Sequence, residues 1–215
     1  MTPKAILFDL DGTLADTAPD LAAALNHLRA DQGLPPLALE RVRPFASAGA
    51  RGLLHVGFGV KPGDNEYDAL RAAFLEAYRE NTCVGTRLFA GIAELLAELA
   101  RRSIAWGVVT NKATRFTERV LAGLDLEPAC VVCGDTTPHL KPHAAPMLRA
   151  AELLELPANA CVYLGDDLRD IQAARAAGMR AVAVEWGYHH PENGGPATWQ
   201  ADAVIAQPRD LIRLL

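Results

Sequence analysis

Two aspartates follow an apolar segment near the start of the chain, one residue apart. Residues 5–13 are AILFDLDGT, so Asp9 and Asp11 close the segment and Gly12 follows them. Neighbouring carboxylates repel each other, and removing them from water costs free energy, so fold stability gives no reason for the pair. A carboxylate can, however, attack phosphorus as a nucleophile when cations offset the repulsion. The pair therefore predicts a site for metal-assisted phosphoryl chemistry.

Polar side chains also follow later apolar segments, and in an open α/β sheet ligands bind beyond the carboxyl ends of the strands. Mg²⁺ prefers carboxylate oxygens, water and substrate phosphate, so this oxygen-rich set favours Mg²⁺ as the cofactor. The residues at these strand ends or in the loops after them are Thr110, Asn111, Lys141, Asp166, Asp167 and Asp170.

A phosphate placed beside a carboxylate needs positive charge around it. Two unit charges about 4 Å apart repel by roughly 4 kcal/mol at an effective dielectric of about 20. Mg²⁺ and the Lys141 ammonium would supply the balancing charge. The phosphoryl oxygens would be held by Thr110, by Asn111 and by backbone N–H groups of the turn that contains Leu10, Gly12 and Thr13. One alternative stays open: Asp166 and Asp170 could instead cap a helix that starts near Leu168.

The order of apolar and amphipathic segments predicts the fold class. Short apolar segments alternate with helical patterns of 9–12 residues, which is typical of βαβ units and a parallel sheet. We therefore expect an α/β fold with a Rossmann-like parallel sheet. The expected strands lie at 5–11, 105–111, 130–135, 161–167, 180–187 and 203–208, and the expected helices at 91–102, 114–124, 145–154 and 170–178.

The segment from 17 to 82 interrupts this alternation, because it contains helical patterns and no convincing strand. It is too long for an ordinary crossover or loop. We expect a helical cap domain at 17–82 and a catalytic core formed by 1–16 and 83–215. Asp16-Thr17-Ala18-Pro19 predicts the start of the first cap helix with its capping residues.

Composition limits the classes of partner. The 215 residues are 50% hydrophobic and carry a net charge of −5, with four lysines scattered along the chain. The chain has no basic stripe, so we expect no nucleic-acid partner. It has no apolar run of the roughly 18–20 residues that a membrane span needs, so we expect no membrane partner. It also lacks a signal-peptide pattern, and we expect a cytoplasmic protein that is a monomer or a homodimer.

Four motifs in order carry a specific resemblance. The sequence DLDGT, then VVTN, then Lys141-Pro142, then GDDLRD resembles the haloacid dehalogenase superfamily of phosphotransferases. The resemblance covers the whole chain, because the helical insert is similar to that family's cap domain. It implies hydrolysis of a phosphomonoester through an aspartyl-phosphate, with Mg²⁺ as the cofactor. A phosphomutase of the same superfamily, and a receiver-type phospho-acceptor domain, remain as alternatives.

The resemblance also implies a role for each motif residue. Asp9 is expected to be the nucleophile and Asp11 the general acid–base. Thr110 is expected to bind phosphate and Lys141 to neutralise its charge. Metal ligands would come from Asp9, Asp166 and, through its backbone carbonyl, Asp11. Behind them, Asp170 would orient Lys141 or a metal-bound water, and Asp167 would be either a further ligand or an exposed side chain.

Within the superfamily the chain is most similar to the phosphoglycolate phosphatase group. This implies a small phosphate ester that also carries a carboxylate; phosphoglycolate and N-acetylmuramic acid 6-phosphate both stay open. Ser47 and Arg51 lie where this group places its substrate-specificity loop, and an arginine fork suits a carboxylate. An exposed helical position without a substrate contact is the alternative for Arg51.

Overall fold

A parallel sheet forms the centre of the computed structural model, which describes residues 3–215. The strands are β1 (Ala5–Phe8), β2 (Ala15–Asp16), β3 (Arg87–Leu88), β4 (Ala105–Val109), β5 (Cys130–Val132), β6 (Cys161–Gly165), β7 (Arg180–Val184) and β8 (Ala203–Ile205). The order in the sheet is β5-β4-β1-β6-β7-β8, and every neighbouring pair is parallel. The remaining two strands, β2 and β3, pair with each other away from this sheet.

Helices cover both faces of the sheet, which explains why its strands are apolar throughout. Ile6 and Phe8 of β1 pack into the core on one face, whereas Ala5 and Leu7 pack into the core on the other. The alternation of side chains along a strand thus serves two cores at once. The helices are α1 (Ala18–Asp31), α2 (Leu39–Val42), α3 (Gly49–Phe58), α4 (Tyr67–Glu80), α5 (Ile92–Arg101), α6 (Thr114–Gly123), α7 (Ala145–Leu153) and α8 (Leu168–Ala176).

Helices α1 to α4 all lie in the inserted segment and share a third buried core. Leu25, Leu53 and Phe74 are buried within it. Phe116 and Tyr188, from the sheet-bearing part of the chain, pack against the same core. The division of the chain at residues 17 and 82 stays a prediction.

Two short strands join the insert to the sheet-bearing part, and the sequence analysis missed both. β2 and β3 pair antiparallel, with Ala15 opposite Leu88 and Asp16 opposite Arg87. Each strand has two residues, too few to show an alternation of side chains. The chain therefore enters and leaves the insert through one paired ribbon.

The predicted fold class is confirmed, because the six-stranded sheet is parallel and its helices lie on both faces. β1 is the topological switch point, since the chain continues from it to β4 on one side and later to β6 on the other. Ligands in such sheets bind beyond the carboxyl ends of the strands at this point. Among residues 3–215, no helix is both long and apolar enough to cross a bilayer.

Candidate active site

The carboxyl ends of three adjacent strands bring the predicted residues together. Asp9 follows β1, Thr110 follows β4 and Asp166 follows β6, and β1 lies between the other two. The Asp9 N–H extends the ladder by donating to the Leu164 carbonyl at 2.9 Å. The strand register therefore fixes where the first acid points.

Lys141 holds the Asp9 carboxylate from one side. Its Nζ lies 2.9 Å from Asp9 Oδ1 and 2.7 Å from Asp170 Oδ1, and it donates to the Tyr163 hydroxyl at 2.8 Å. Burial raises the pKa of Asp9 to about 7, and Lys141 only partly opposes this. Burial alone would lower the pKa of Lys141, but Asp170 and Asp9 raise it above its ordinary value. Lys141 is thus a permanent cation beside an acid that ionises reluctantly.

Asp166 is fully buried and receives donors from three separate segments. The Thr13 hydroxyl donates to Oδ1 at 2.8 Å, and the Tyr188 N–H and Ser47 hydroxyl donate to Oδ2 at 2.9 and 3.1 Å. Burial and repulsion from Asp9 still raise the pKa of Asp166 well above its ordinary range. A Cβ on Gly12 would overlap this carboxylate, so the turn must carry glycine there, where φ is +88°.

Three carboxylates form the oxygen cluster that a divalent cation would need. One oxygen each from Asp9, Asp166 and Asp170 lie within 4.8 Å of one another, and all three residues are buried. Their mutual repulsion is the cost that a bound cation removes, and oxygen-only donors are the ligands that Mg²⁺ prefers. The donor set therefore fits Mg²⁺. The expected contribution of the Asp11 backbone carbonyl to the metal site stays a prediction.

The Asp11 carboxylate points to a different set of partners. Its Oδ1 accepts from Lys112 Nζ at 2.9 Å and from the Thr17 hydroxyl. Burial alone would lower the pKa of Lys112, but Asp11 raises it above its ordinary value, so Lys112 stays charged. Lys112 was not predicted as a site residue from the sequence. The prediction of a capping side chain at the start of α1 is wrong, because the Thr17 hydroxyl makes no such bond.

The predicted phosphate-binding groups are placed differently from one another. Thr110 is buried and lines the cavity above Asp9. The Leu10 N–H donates to Asp9 Oδ1 at 2.7 Å. The Gly12 N–H donates to the Ala15 carbonyl at 3.0 Å within the turn, whereas the Thr13 hydroxyl reaches across to Asp166 after β6. The expected role of Leu10, Gly12 and Thr13 in holding phosphate stays a prediction.

Asn111 bonds to the backbone of Lys141 with both ends of its amide. Its Nδ2 donates to the Lys141 carbonyl at 3.0 Å, and its Oδ1 accepts from the Lys141 N–H at 2.9 Å. The side chain therefore fixes the loop that carries the cation. Its expected role in binding phosphate stays a prediction.

Asp167 and Asp170 lie at the start of α8, where they form a reciprocal cap. Asp167 accepts from the Arg169 N–H at 2.9 Å, and Asp170 accepts from the Asp167 N–H at 3.0 Å. Asp167 is only 3% exposed and forms an ion pair with Arg169, so it is neither exposed nor part of the oxygen cluster. Asp170 both caps the helix and contacts Lys141. The capping role and the role of orienting Lys141 were given as alternatives, and they coexist.

A cavity of about 550 Å³ opens above Asp9 and is roofed by the insert. Ser47 and Arg51 of the insert both line it. Arg51 is exposed, and its guanidinium makes no hydrogen bond within residues 3–215. Beyond the acids, the lining combines cationic side chains with an apolar wall: Arg51, Arg71, Lys112, Arg115, Arg169, Leu21, Tyr67, Phe74, Leu75, Tyr78 and Phe116.

Comparisons with known proteins agree with this fold and site. The haloacid dehalogenase-like hydrolase family model matches residues 6–184. N-acetylmuramic acid 6-phosphate phosphatase from Pseudomonas aeruginosa is 43% identical, over 100% of this chain and 96% of that protein. Phosphoglycolate phosphatase from Xanthomonas campestris pv. campestris is 42% identical, over 97% of this chain and 95% of that protein. The crystal structure of a predicted phosphoglycolate phosphatase from Haemophilus somnus superimposes with a TM-score of 0.87 at 28% identity, covering 100% of this chain and 98% of that one.

The chain belongs to the haloacid dehalogenase-like hydrolase family. Its curated relatives match it along nearly their whole length, and it is a phosphoric monoester hydrolase. This membership also argues against the receiver-type alternative.

Proposed function

We propose that this chain is a Mg²⁺-dependent phosphomonoesterase that acts on a small, carboxylate-bearing ester through an aspartyl-phosphate on Asp9. The observation that carries the proposal is the arrangement at Asp9: a buried carboxylate 2.9 Å from the Lys141 ammonium, beside two further carboxylates and beneath a cavity. The resident cation fits the oxygens of Asp9, Asp166 and Asp170. When bound, it offsets negative charge on the substrate phosphate and on the acids.

The residues around the cavity can carry out the reaction as two successive displacements at phosphorus. In the first, an Asp9 oxygen attacks phosphorus while Asp11 gives its proton to the departing ester oxygen. In the second, Asp11 takes a proton from water, which attacks the same phosphorus and releases Asp9. Lys112 and the Thr17 hydroxyl hold the Asp11 carboxylate in place for both proton transfers. Lys141 stays charged throughout and offsets the charge of the phosphoryl oxygens.

Two substrates remain as candidates, and both carry a carboxylate. The relatives named for phosphoglycolate and for N-acetylmuramic acid 6-phosphate are equally similar to this chain, at 42% and 43% identity. The cavity favours the larger ester. Its volume is about 550 Å³, and aromatic side chains such as Tyr67 and Phe74 form part of its wall. A sugar ring can pack against such a wall, whereas phosphoglycolate would leave most of the cavity to water.

The experiment compares phosphate release from the two esters by purified protein, with and without Mg²⁺. We expect a kcat/KM preference for the muramic ester of more than about a hundredfold, which is roughly 2.7 kcal/mol of transition-state discrimination. The reverse preference would assign phosphoglycolate as the substrate. Retention of the phosphoryl group on a product would indicate a mutase. Phosphate release without Mg²⁺, or from neither ester, would overturn the proposal.

A further inference from the structure

One turn of the insert makes a series of contacts with the sheet-bearing part of the chain. In the 3₁₀ turn Arg43–Ala48, every second residue makes one of these contacts. Arg43 forms an ion pair with Asp16 at 2.7 Å, and the Phe45 ring meets the His190 ring edge-on at 5.1 Å. Ser47 makes the third contact, and it is the one nearest the carboxylates. We call this segment the docking turn.

Ser47 is held from two directions. Its hydroxyl donates to Asp166 Oδ2 at 3.1 Å, and its backbone carbonyl accepts from Arg169 Nη2 at 2.9 Å. The first contact places the insert on an acid of the oxygen cluster. The second fixes the backbone from which that hydroxyl projects, so Arg169 determines where the Ser47 hydroxyl lies.

The Arg169 guanidinium is also held by Asp167. Its Nε donates to Asp167 Oδ1 at 2.8 Å and its Nη2 to Asp167 Oδ2 at 3.0 Å, which makes a two-pronged pair. Asn193 also donates to Asp167 Oδ2, at 3.2 Å. Burial would raise the pKa of Asp167, but Arg169 outweighs it and lowers the pKa. A planar guanidinium in such a pair has few orientations left, so its bond to the docking turn is directional.

Arg169 also lies between two cavities. It lines the cavity above Asp9 and a second one of about 750 Å³, which extends towards His55 and His190. Asp167, Ala48 and Arg51 line both cavities as well. The Asp167–Arg169 pair and the end of the docking turn therefore separate the reaction cavity from a larger, open space.

We propose that Arg169 is a positioning residue: held by Asp167, it docks the turn Arg43–Ala48 onto the carboxyl edge of the sheet, next to Asp166 and above Asp9. This inference rests on the proposed phosphatase function for its effect on catalysis. The docked turn places Ser47 and Arg51 at the cavity and separates the cavity from the neighbouring space. Without Arg169, the turn keeps the contacts of Arg43 and Phe45 and loses the bond that holds the Ser47 backbone carbonyl.

Hydrogen exchange followed by mass spectrometry tests the docking directly, without metal or substrate. In Arg169→Gln we expect peptides that contain the docking turn to exchange about tenfold faster, while peptides from β4 exchange as in the wild type. Asp167→Asn keeps a capping side chain at α8 but loses the charged pair, so it should show a smaller increase in the same peptides. Arg175→Gln is the matched control. Arg175 is an exposed arginine of the same helix, and its guanidinium donates to the Gln200 carbonyl, away from the docking turn.

The second test measures kcat/KM of the same variants with the carboxylate-bearing ester that the wild type prefers. Arg169→Gln should lower kcat/KM by roughly ten- to a hundredfold, since misplacing a positioned group costs that much, and Arg175→Gln should leave it unchanged. Unchanged exchange of the docking turn in Arg169→Gln would overturn the inference, whether or not the wild type is active. Faster exchange in β4 as well would also overturn it, because it would show general loosening. Failure of the proposed function appears separately, as a wild type that releases no phosphate.

Discussion

Asp9 is a carboxyl whose burial works against its ionisation. Its pKa rises from 3.8 to about 7, so the unfolded chain loses this proton at lower pH than the folded protein does. Between these two values the folded state binds more protons, and the free energy of unfolding therefore falls as pH rises from about 4 to 7. A neutral side chain of the same shape removes this penalty.

Asp9→Asn is therefore predicted to stabilise the metal-free protein. In calorimetry with a chelator at pH 8, we expect the Tm to rise by about 3–8 °C, with a smaller rise at pH 5. Asp68→Asn, at an exposed position of α4, should leave the Tm unchanged at both pH values. A lower Tm for Asp9→Asn at pH 8 would show that its pairing with Lys141 outweighs burial.

The acids at the strand ends could be predicted from the sequence, but their partners could not. Asp9, Asp166 and Asp170 follow apolar segments, and the sheet brings such ends together. Lys112 pairs with Asp11 only when β1 and β4 lie side by side in the sheet. Arg169 bonds to Ser47 only after the insert has folded over the sheet. No spacing along the chain encodes these contacts.

At the scale of elements, the start of α1 depends on a residue from far along the chain. The Thr17 and Ala18 N–H groups donate to the Tyr188 hydroxyl at 2.7 and 2.9 Å, and that hydroxyl donates to Asp16 Oδ1 at 3.0 Å. A helix N-terminus leaves such N–H groups without partners inside the helix. The sequence predicted where α1 begins and assigned its cap to the local side chains, because local capping is the commoner arrangement.

Tyr188→Phe is therefore predicted to destabilise the protein through this helix end. Two buried N–H groups lose their acceptor at about 1–3 kcal/mol each, together about 2–6 kcal/mol, so we expect the Tm to fall by roughly 4–24 °C. Tyr67→Phe is the matched control, because the Tyr67 hydroxyl makes no hydrogen bond within residues 3–215. Equal Tm values for the two variants would contradict the account of α1.

At the scale of the whole molecule, the alternation of strands and helices was enough to predict the parallel sheet and the helical insert. The β2–β3 ribbon was not predictable, because two-residue strands carry no pattern. The contacts that hold the insert over the sheet, such as those of Arg43 and Ser47, were not predictable either, because they join residues far apart in the sequence. These contacts put the cavity between the two parts.

Mg²⁺ should stabilise the folded protein, because the oxygen cluster forms only when the strands pair. A cation at a hundred times its Kd contributes about 2.7 kcal/mol, which corresponds to a Tm rise of roughly 5–10 °C for a chain of this size. Asp166→Asn should lose most of this rise, and Asp68→Asn, at an exposed position of α4, should keep it. An equal rise in both variants would place the cation elsewhere.

The central claim is that Asp9 becomes phosphorylated during turnover. The most direct measurement is an acid quench of the working enzyme, followed by mass spectrometry of the peptide that contains Asp9. We predict that this peptide carries one phosphoryl group during turnover, and that the corresponding peptide of Asp9→Asn carries none while phosphate release stops. Phosphate release that continues in Asp9→Asn would contradict the account.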